Sequence, residues 1–330
     1  MKKTFLFAAI VGTVLTGCSK DKEKDDGKMD ILVCMHYDSS NPERHTNIIA
    51  MLPDGTGQKM LYAYSDELRP KQGSIGSDGK TLLFATQNNK GVYTFDLSDR
   101  TLVKLSVDGD WEASVFSPDM SKVYVNHNKR PDANNKDAFC VINVATKAVT
   151  VLNDGSERQL IYPSFTADGR IVCNNWWKDI VIINADGTNP TVLKNKEGYI
   201  FYFQPFAIPA RNKIVYCEFY NNNDESNLEY FCSVRIMNTD GTGDAVLIPK
   251  GANDEHFANP NTNAAGNKMV YSHMTKSHDQ RSDIIICDFN GSTLSNKKTI
   301  YTDNGGDIQI WRAMFNRIDK AVYNALPNVN

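Results

Sequence analysis

Four side chains that could bind a metal ion occur at equivalent positions of repeated apolar strands. They are His36, His127, Glu218 and His273, each placed two residues beyond the last core apolar residue of its strand. Neutral imidazole and carboxylate groups together ligate zinc, manganese or iron. Two other interpretations stay open, because polar side chains at strand ends also serve the fold alone or contact a ligand directly. A shared ion further requires that these positions lie close together in space.

A second series of polar side chains stands one residue before the position that is most often proline in the same repeats. The series consists of Gln72, Tyr162, Gln204, Asn259 and Arg312. Polar groups that converge on one opening form a common ligand site. The alternative is a channel rim that is polar only because water fills it.

Aromatic rings are the third source of binding chemistry. Trp176, Tyr202 and Tyr220 belong to aromatic-rich segments, and exposed rings stack on sugars or anchor hydrophobic peptides. Alternating strand spacing favours the opposite outcome, in which most of these rings are buried between sheets.

These residues sit in two sequence elements that alternate along the chain. The first is a strand, a tight polar turn and an apolar strand, as in residues 74–86, 115–127 and 164–175. The second is a hairpin with turns such as Asp-Gly, as in residues 180–193 and 234–248. Asp-Gly and Asn-Gly suit hairpin turns, and the flanking Val, Ile, Tyr and Phe suit strands. Four strands at a spacing of roughly 40 to 55 residues are typical of a β-propeller.

The repeat count predicts an all-β, six-bladed β-propeller of four-stranded blades. Residues 308–315 and 321–326 are expected to form the last two strands. They would share one blade with the N-terminal strands. The surplus strand at 31–37 leaves a seven-bladed propeller as the alternative. The loops between second and third strands are unusually long in four units, which favours that face for binding. These loops span residues 36–46, 126–138, 218–231 and 273–283.

The turn motifs resemble the PD40 repeats of TolB-like propellers. Ser117-Pro118-Asp119 and Thr166-Ala167-Asp168-Gly169 match the motif, and Pro163, Pro205 and Pro260 take its leading proline position. The resemblance covers residues 30–330. Because oligogalacturonate lyases of this kind hold a divalent metal inside the propeller, it also implies a metal-dependent alternative. A fold of this type does not by itself specify a chemistry.

The N-terminus has the features of a bacterial lipoprotein signal. Lys2 and Lys3 precede an apolar stretch, and Leu15-Thr16-Gly17-Cys18 resembles the lipobox. We therefore expect a signal peptide at 1–17, an acylated Cys18 with a charged tether to residue 29, and a propeller from 30 to 330. Position 19 is serine and not aspartate, which by resemblance to the enterobacterial sorting rule argues against retention in the inner membrane. The Lys/Asp/Glu-rich tether resembles the surface-export signal of Bacteroidetes lipoproteins.

Composition excludes several classes of function. The 330 residues are 41% hydrophobic and 23% charged with a net charge of −3, which predicts a folded core and no nucleic-acid partner. The six cysteines besides Cys18 lie in apolar strands and are expected to be free buried thiols, with Cys217 and Cys232 the one pair worth testing. No G-x-S-x-G, P-loop, H-E-x-x-H or C-x-x-C motif occurs.

The sequence thus predicts a monomeric binding module without cofactor, anchored in a Gram-negative outer membrane by its lipid. Its ligand would be a glycan, a peptide or an envelope protein, bound by the polar series and the three aromatic residues. One alternative is a metal-dependent polysaccharide lyase, or another hydrolytic enzyme, that uses the His/Glu series. Another is an envelope scaffold.

Replacing the lipobox cysteine tests the anchor. We expect Cys18→Ala to abolish incorporation of labelled palmitate and to release the protein from the membrane fraction, because acylation needs that sulfur. Cys34→Ala is the matched control and should leave labelling intact. Equal labelling of the wild type and the Cys18→Ala variant would contradict the assignment.

Overall fold

The computed structural model describes most of the chain beyond the N-terminal segment. The described residues are 26–38, 46–65, 67–86, 88–130, 136–153, 160–175, 178–198, 200–221, 230–251, 256–274, 282–303 and 308–329. They form six four-stranded antiparallel sheets, so the chain is a six-bladed β-propeller. The alternative of seven blades is wrong. The signal peptide, Cys18 and most of the tether lie outside the described residues.

Each blade is a meander in which consecutive strands pair. Blade 1 has the order β24-β1-β2-β3, with β24 (Ile308–Asp319), β1 (Lys28–Asp38), β2 (Thr46–Met51) and β3 (Lys59–Tyr62). Blade 2 contains β4 (Pro70–Ile75), β5 (Thr81–Thr86), β6 (Val92–Asp96) and β7 (Leu102–Lys104). Blade 3 contains β8 (Asp110–Phe116), β9 (Lys122–Arg130), β10 (Lys136–Asn143) and β11 (Val149–Asn153).

The other three blades repeat this arrangement. Blade 4 contains β12 (Leu160–Phe165), β13 (Ile171–Asn175), β14 (Asp179–Ile183) and β15 (Thr191–Lys194). Blade 5 contains β16 (Ile200–Ile208), β17 (Lys213–Asn221), β18 (Tyr230–Asn238) and β19 (Ala245–Ile248), with a short 3-10 turn at Pro209–Arg211. Blade 6 contains β20 (His256–Thr262), β21 (Lys268–Met274), β22 (Ser282–Phe289) and β23 (Leu294–Tyr301).

The polar turns form because an aspartate side chain satisfies the backbone of the turn. Asp119 accepts hydrogen bonds from the Ser117 hydroxyl at 2.6 Å and the Ser121 amide at 3.1 Å, and these bonds lower its pKa to about 2. Gly79 follows Asp78 with φ +75°, and a Cβ there would meet the backbone nitrogen of Asp319 at 2.8 Å. The turn therefore requires glycine for both its conformation and its close contact.

The core lies between blades, which explains why the second strands are continuously apolar. In β13, Ile171 and Cys173 pack toward blade 3 beside Tyr124, whereas Val172 packs toward blade 5 beside Tyr216. A strand that is buried on both faces needs no polar alternation. The six cysteines of the described residues are buried and unbridged, as expected, and they include Cys217 and Cys232.

The two chain ends close the ring in blade 1, as predicted, but the C-terminal part differs from the prediction. Instead of a second strand at 321–326, the chain forms a short helix, α1 (Lys320–Ala325). The Asp319 side chain caps it by accepting from the Ala321 and Val322 amides at 2.8 and 3.3 Å. Blade 1 therefore takes one strand from the C-terminus and three from the N-terminus, where β1 begins two residues before the predicted domain start.

No helix in the described part of the chain has the length and apolar composition that crossing a bilayer requires.

Side chains of several innermost strands bind their blade to the next. Asn261 of blade 6 donates to the Ala313 carbonyl at 2.9 Å and accepts from the Phe315 amide at 2.8 Å, both in blade 1. Asn316 of blade 1 accepts from the Ile75 amide of blade 2 at 2.8 Å. Through these bonds, polar side chains satisfy backbone groups that no neighbouring strand pairs.

Removing the Asn261 amide tests the importance of these links. We expect Asn261→Ala to lower the free energy of unfolding by about 2–4 kcal/mol, because two buried backbone groups lose their partner. The measurement is urea denaturation, with exposed Asn195→Ala as the control that should change little. A stability loss no larger than that of the control would show that these bonds do not hold the ring closed.

Candidate functional site

Each innermost strand bulges at the positions predicted to face the axis. The pairing register with the neighbouring strand shifts once in every blade at this level. Four residues of the predicted series adopt a left-handed backbone there, namely Tyr162 (φ 56°), Gln204 (φ 50°), Asn259 (φ 53°) and Arg312 (φ 52°). A bulge adds one residue to a strand and redirects its side chain, so the repeat places these four residues by one mechanism.

This backbone conformation is unusual for residues other than glycine and asparagine. Tyr162 and Arg312 each adopt it at a cost of roughly 1–3 kcal/mol, and such strain concentrates at functional sites. Pro163, Pro205 and Pro260 follow three of the four bulged residues. A proline has no amide hydrogen, so it removes a donor that the free inner edge of the strand would leave unpaired.

The bulges surround a cavity on the propeller axis, here called the axial cavity. It comprises about 740 Å³ of unoccupied space, counting its open end, and all six innermost strands line it. Tyr162, Gln204 and Asn259 are among its lining residues, as predicted. The Ser114 hydroxyl, which sequence reasoning missed, also lines it and is buried with no hydrogen-bond partner among the described residues. The sequence feature that could have identified Ser114 is its place in the repeat, where other copies have the leading proline.

Two members of the predicted series have distinct roles in the cavity wall. The Gln204 side-chain carbonyl accepts from the Asn259 amide at 2.8 Å, which fixes the bulge of blade 6 against blade 5. Gln204 is therefore partly a positioning residue. Burial raises the pKa of Tyr162, although the positive charge of Arg312 opposes the shift, so the Tyr162 hydroxyl stays protonated at neutral pH and can donate a hydrogen bond.

Arg312 is the most informative member of the series. Its side chain is partly buried and lines a second cavity together with Gln204 and Asn259, while its charge also acts on Tyr162 in the axial cavity. Within the described residues, Arg312 makes no hydrogen bond or ion pair through its side chain. In contrast, the Lys71 ammonium is held by Asp110 at 2.7 Å and Glu112 at 3.1 Å. A guanidinium without a partner at a cavity favours an anionic ligand group.

The His/Glu series does not form one site. His36, His127, Glu218 and His273 lie on the second strands of blades 1, 3, 5 and 6, and no three His, Cys, Asp or Glu side chains of the described residues are grouped to hold an ion. The described arrangement therefore does not bring these four side chains together around one ion. Equivalent positions on the second strands of a radial repeat are spread around the ring, whereas those on the innermost strands face one axis.

The imidazole rings of this series serve local packing. The His127 ring stacks on Trp111 with centroids 3.9 Å apart, and the His273 ring stacks on Phe257 at 5.2 Å. His36 is buried, and its Nδ1 lies 3.5 Å from the Asn47 amide nitrogen. These contacts agree with the structural interpretation of strand-end polar residues.

Glu218 belongs to an ion network that joins blades 4 and 5. It accepts from Ser233 at 3.2 Å, from Arg235 at 3.3 Å and from the Tyr220 hydroxyl. Two further bonds of 3.0 Å join Arg235 to Asp244, which also accepts from Tyr216 at 2.7 Å and pairs with Lys194 of blade 4 at 3.1 Å. The network neutralises a carboxylate that would otherwise be buried alone.

The two described members of the aromatic series, Tyr202 and Tyr220, lie on the paired strands β16 and β17 of blade 5. The Tyr202 ring is 1% exposed and packs edge-on against Tyr216, so the prediction that it offers a stacking platform is wrong. The Lys250 ammonium lies 5.3 Å from the centre of the partly buried Tyr220 ring. Burial and the hydrogen bond to Glu218 raise the pKa of Tyr220 to about 12.

Several predicted elements fall outside the described residues. They are Trp176, the side chain of Gln72, and residues 39–45, 131–135, 222–229 and 275–281 of the four long loops. The bulges that line the axial cavity follow the starts of the innermost strands, and these starts pair with the ends of the second strands.

Comparison with known proteins identifies the fold. No protein-family model and no curated protein matches the sequence. TolB from Acinetobacter baumannii is similar in structure, with a TM-score of 0.65 and 17% identity over 87% of this chain and 66% of that one. A putative TolB from Agrobacterium tumefaciens has a TM-score of 0.57 and 12% identity, over 88% of this chain and 99% of that one. An oligogalacturonate lyase from Vibrio parahaemolyticus has a TM-score of 0.53 and 12% identity, over 83% of this chain and 80% of that one. The fold is thus a TolB-like propeller, and the chain spans about two thirds of the Acinetobacter TolB.

Truncating Glu218 distinguishes a structural role from metal binding. We expect Glu218→Ala to lower the free energy of unfolding by about 3 kcal/mol, because Arg235 loses a buried partner. Metal content, measured by mass spectrometry, should equal that of the wild type. The control is Glu197→Ala, which removes an exposed carboxylate. Loss of stoichiometric metal on Glu218→Ala alone would restore the metal interpretation of this residue.

Proposed function

We propose that this TolB-like propeller is an envelope-anchored binding module whose axial cavity recognises a ligand through an anionic group. The observation that carries the proposal is Arg312, which is partly buried, has no side-chain partner among the described residues, and lines the second cavity beside Gln204 and Asn259, two residues that also line the axial cavity. A carboxylate is the natural partner, because guanidinium binds it through two parallel hydrogen bonds. Uronic acids, peptide termini and acidic side chains all supply one.

The bulges make the site rigid before the ligand arrives. Tyr162, Asn259 and Arg312 are held by backbone geometry at three blades, and Gln204 locks the bulge of Asn259 in place. A preorganised site loses little conformational entropy on binding, which supports recognition by a few polar groups. The orphaned Ser114 hydroxyl adds a donor or acceptor for the ligand on the blade 3 side.

The location of the module follows from its N-terminus. The lipobox at Cys18 and the charged tether would hold the propeller at the outer membrane of a Gram-negative cell, with the cavity free to meet glycans, peptides or protein partners. The TolB-like fold supports an envelope setting, since TolB proteins share this propeller.

A uronic acid polymer lyase is the second candidate. It shares the need for a carboxylate partner, and the Vibrio parahaemolyticus oligogalacturonate lyase shares the fold. The two functions differ in outcome, because a lyase releases unsaturated uronates whereas a binding module returns its ligand unchanged.

Substitution of Arg312 tests the proposal. The probes are an array of neutral and acidic oligosaccharides, with galacturonate oligomers among them, and a library of short peptides with free C-termini. We expect acidic probes to bind the wild type and to lose roughly tenfold or more in affinity with Arg312→Gln, because a charged hydrogen bond is lost. The matched control is Arg170→Gln in the turn between β12 and β13 at the opposite end of the propeller.

Three results decide between the functions. Equal binding by wild type and Arg312→Gln would contradict the proposed site. Binding of neutral probes alone would contradict recognition through an anionic group. Unsaturated products from galacturonate oligomers would replace the binding module with the lyase.

A further inference from the structure

A second cavity opens beside the axial cavity, between blades 5 and 6; it is called the side cavity here. It comprises about 970 Å³ of unoccupied space with its mouth included. Gln204, Asn259 and Arg312 line it, and Gln204 and Asn259 line the axial cavity as well. The two cavities therefore share Gln204 and Asn259 as a polar boundary, and Arg312 adds a positive charge on the side-cavity side of it.

The walls of the side cavity are mainly apolar. Phe203 and Phe219 meet edge to face with centroids 5.7 Å apart, and Met274 lines the cavity from blade 6. Phe203 is 5% exposed, so its ring is fixed in the core while its edge bounds the cavity. An aromatic wall with a flexible thioether accepts a large apolar group.

One polar atom in the side cavity lacks a partner. The Ser272 side chain is 3% exposed, and its hydroxyl is buried without a hydrogen bond among the described residues. Ser272 also lines the side cavity. A buried hydroxyl that makes no hydrogen bond is costly, and a ligand atom that reaches it would remove the cost.

We infer that the side cavity is a specificity subsite for the C-terminal residue of a peptide, with a large apolar side chain in the cavity and its carboxylate on Arg312. In such a residue the carboxylate and the apolar side chain leave the same carbon, which matches a cationic boundary beside an apolar chamber. The side-chain amides of Gln204 and Asn259 would face the preceding peptide group, and the Ser272 hydroxyl would meet a polar ligand atom. A uronic acid carries a carboxylate but no apolar group to fill the side cavity.

The inference rests on the proposed function, because it assigns the substrate class of the same carboxylate site. The inference goes beyond the proposed function because it selects a peptide over a glycan and names the residues that contact the ligand side chain.

The test uses three small peptides on the intact protein. They are acetyl-Gly-Gly-Phe with a free carboxylate, the same peptide as its C-terminal amide, and acetyl-Gly-Gly-Gly with a free carboxylate. Calorimetric titration should show that the first binds at least roughly tenfold tighter than either of the others. Since the changes are made in the peptide, the result does not depend on the folding of any variant.

Two variants locate the binding. Arg312→Gln should erase the preference for the free carboxylate while keeping the preference for Phe over Gly. Met274→Trp should fill the side cavity and erase the preference for Phe while keeping the preference for the carboxylate. Circular dichroism and thermal unfolding establish that both variants are folded.

The outcomes separate the two claims. Carboxylate-dependent and Arg312-dependent binding that is equal for Phe and Gly would overturn the subsite and leave the proposed function standing. Binding of galacturonate oligomers through Arg312, with no peptide bound, would also overturn the peptide inference alone. A phenylalanine preference that survives Met274→Trp would place the apolar group elsewhere and overturn the assignment. A peptide affinity that changes neither with the carboxylate nor with Arg312→Gln would overturn both claims.

Discussion

The free inner edges of the six blades are the constraint on which the structure depends. Each innermost strand pairs with a neighbour on one side only, so its other edge leaves backbone groups toward the axis. The chain satisfies them with side chains of the adjacent blade. Asn261, Asn316, Ser164 and Gln204 each accept a backbone amide from the next blade at 2.8 to 3.0 Å. Closure of the ring and polarity of the axis therefore have one origin.

The bulges follow from the same constraint and create the candidate site. An extra residue in each innermost strand redirects one side chain, and the proline that often follows removes an unpaired donor. The strained backbone of Tyr162 and Arg312 persists because four-stranded sheets and inter-blade bonds determine the surrounding structure. Arg312 then lines the side cavity beside Gln204 and Asn259, which line both cavities, and it has no charged partner among the described residues. This unbalanced charge is the feature that points to a ligand.

Local patterns predicted the fold and only part of the site. Asp-Gly turns, apolar strands and their spacing predict six blades with a seventh left open. The repeat alignment places Tyr162, Gln204, Asn259 and Arg312 on the innermost strands, which a radial repeat brings to one axis. The same alignment failed for His36, His127, Glu218 and His273, since second strands lie apart. Burial of Tyr202 depends on blade 4, which contributes Val172 and Ile180 to its cluster. The partners of Glu218 come from β17 and the paired strand β18 of its own blade. A linear pattern reveals neither. The apolar residues at 321–326 suit a strand as well as a helix, and the Asp319 cap decides for the helix.

Crystals of the protein soaked with a small carboxylate give the most direct test of the central claim, that the axial site binds an anionic group through Arg312. Galacturonate and acetylphenylalanine are suitable because each carries a single carboxylate. The account predicts electron density for the carboxylate within about 2.7–2.9 Å of the Arg312 guanidinium nitrogens, at the boundary of the two cavities. Carboxylates bound only elsewhere, with both cavities holding water alone, would contradict it.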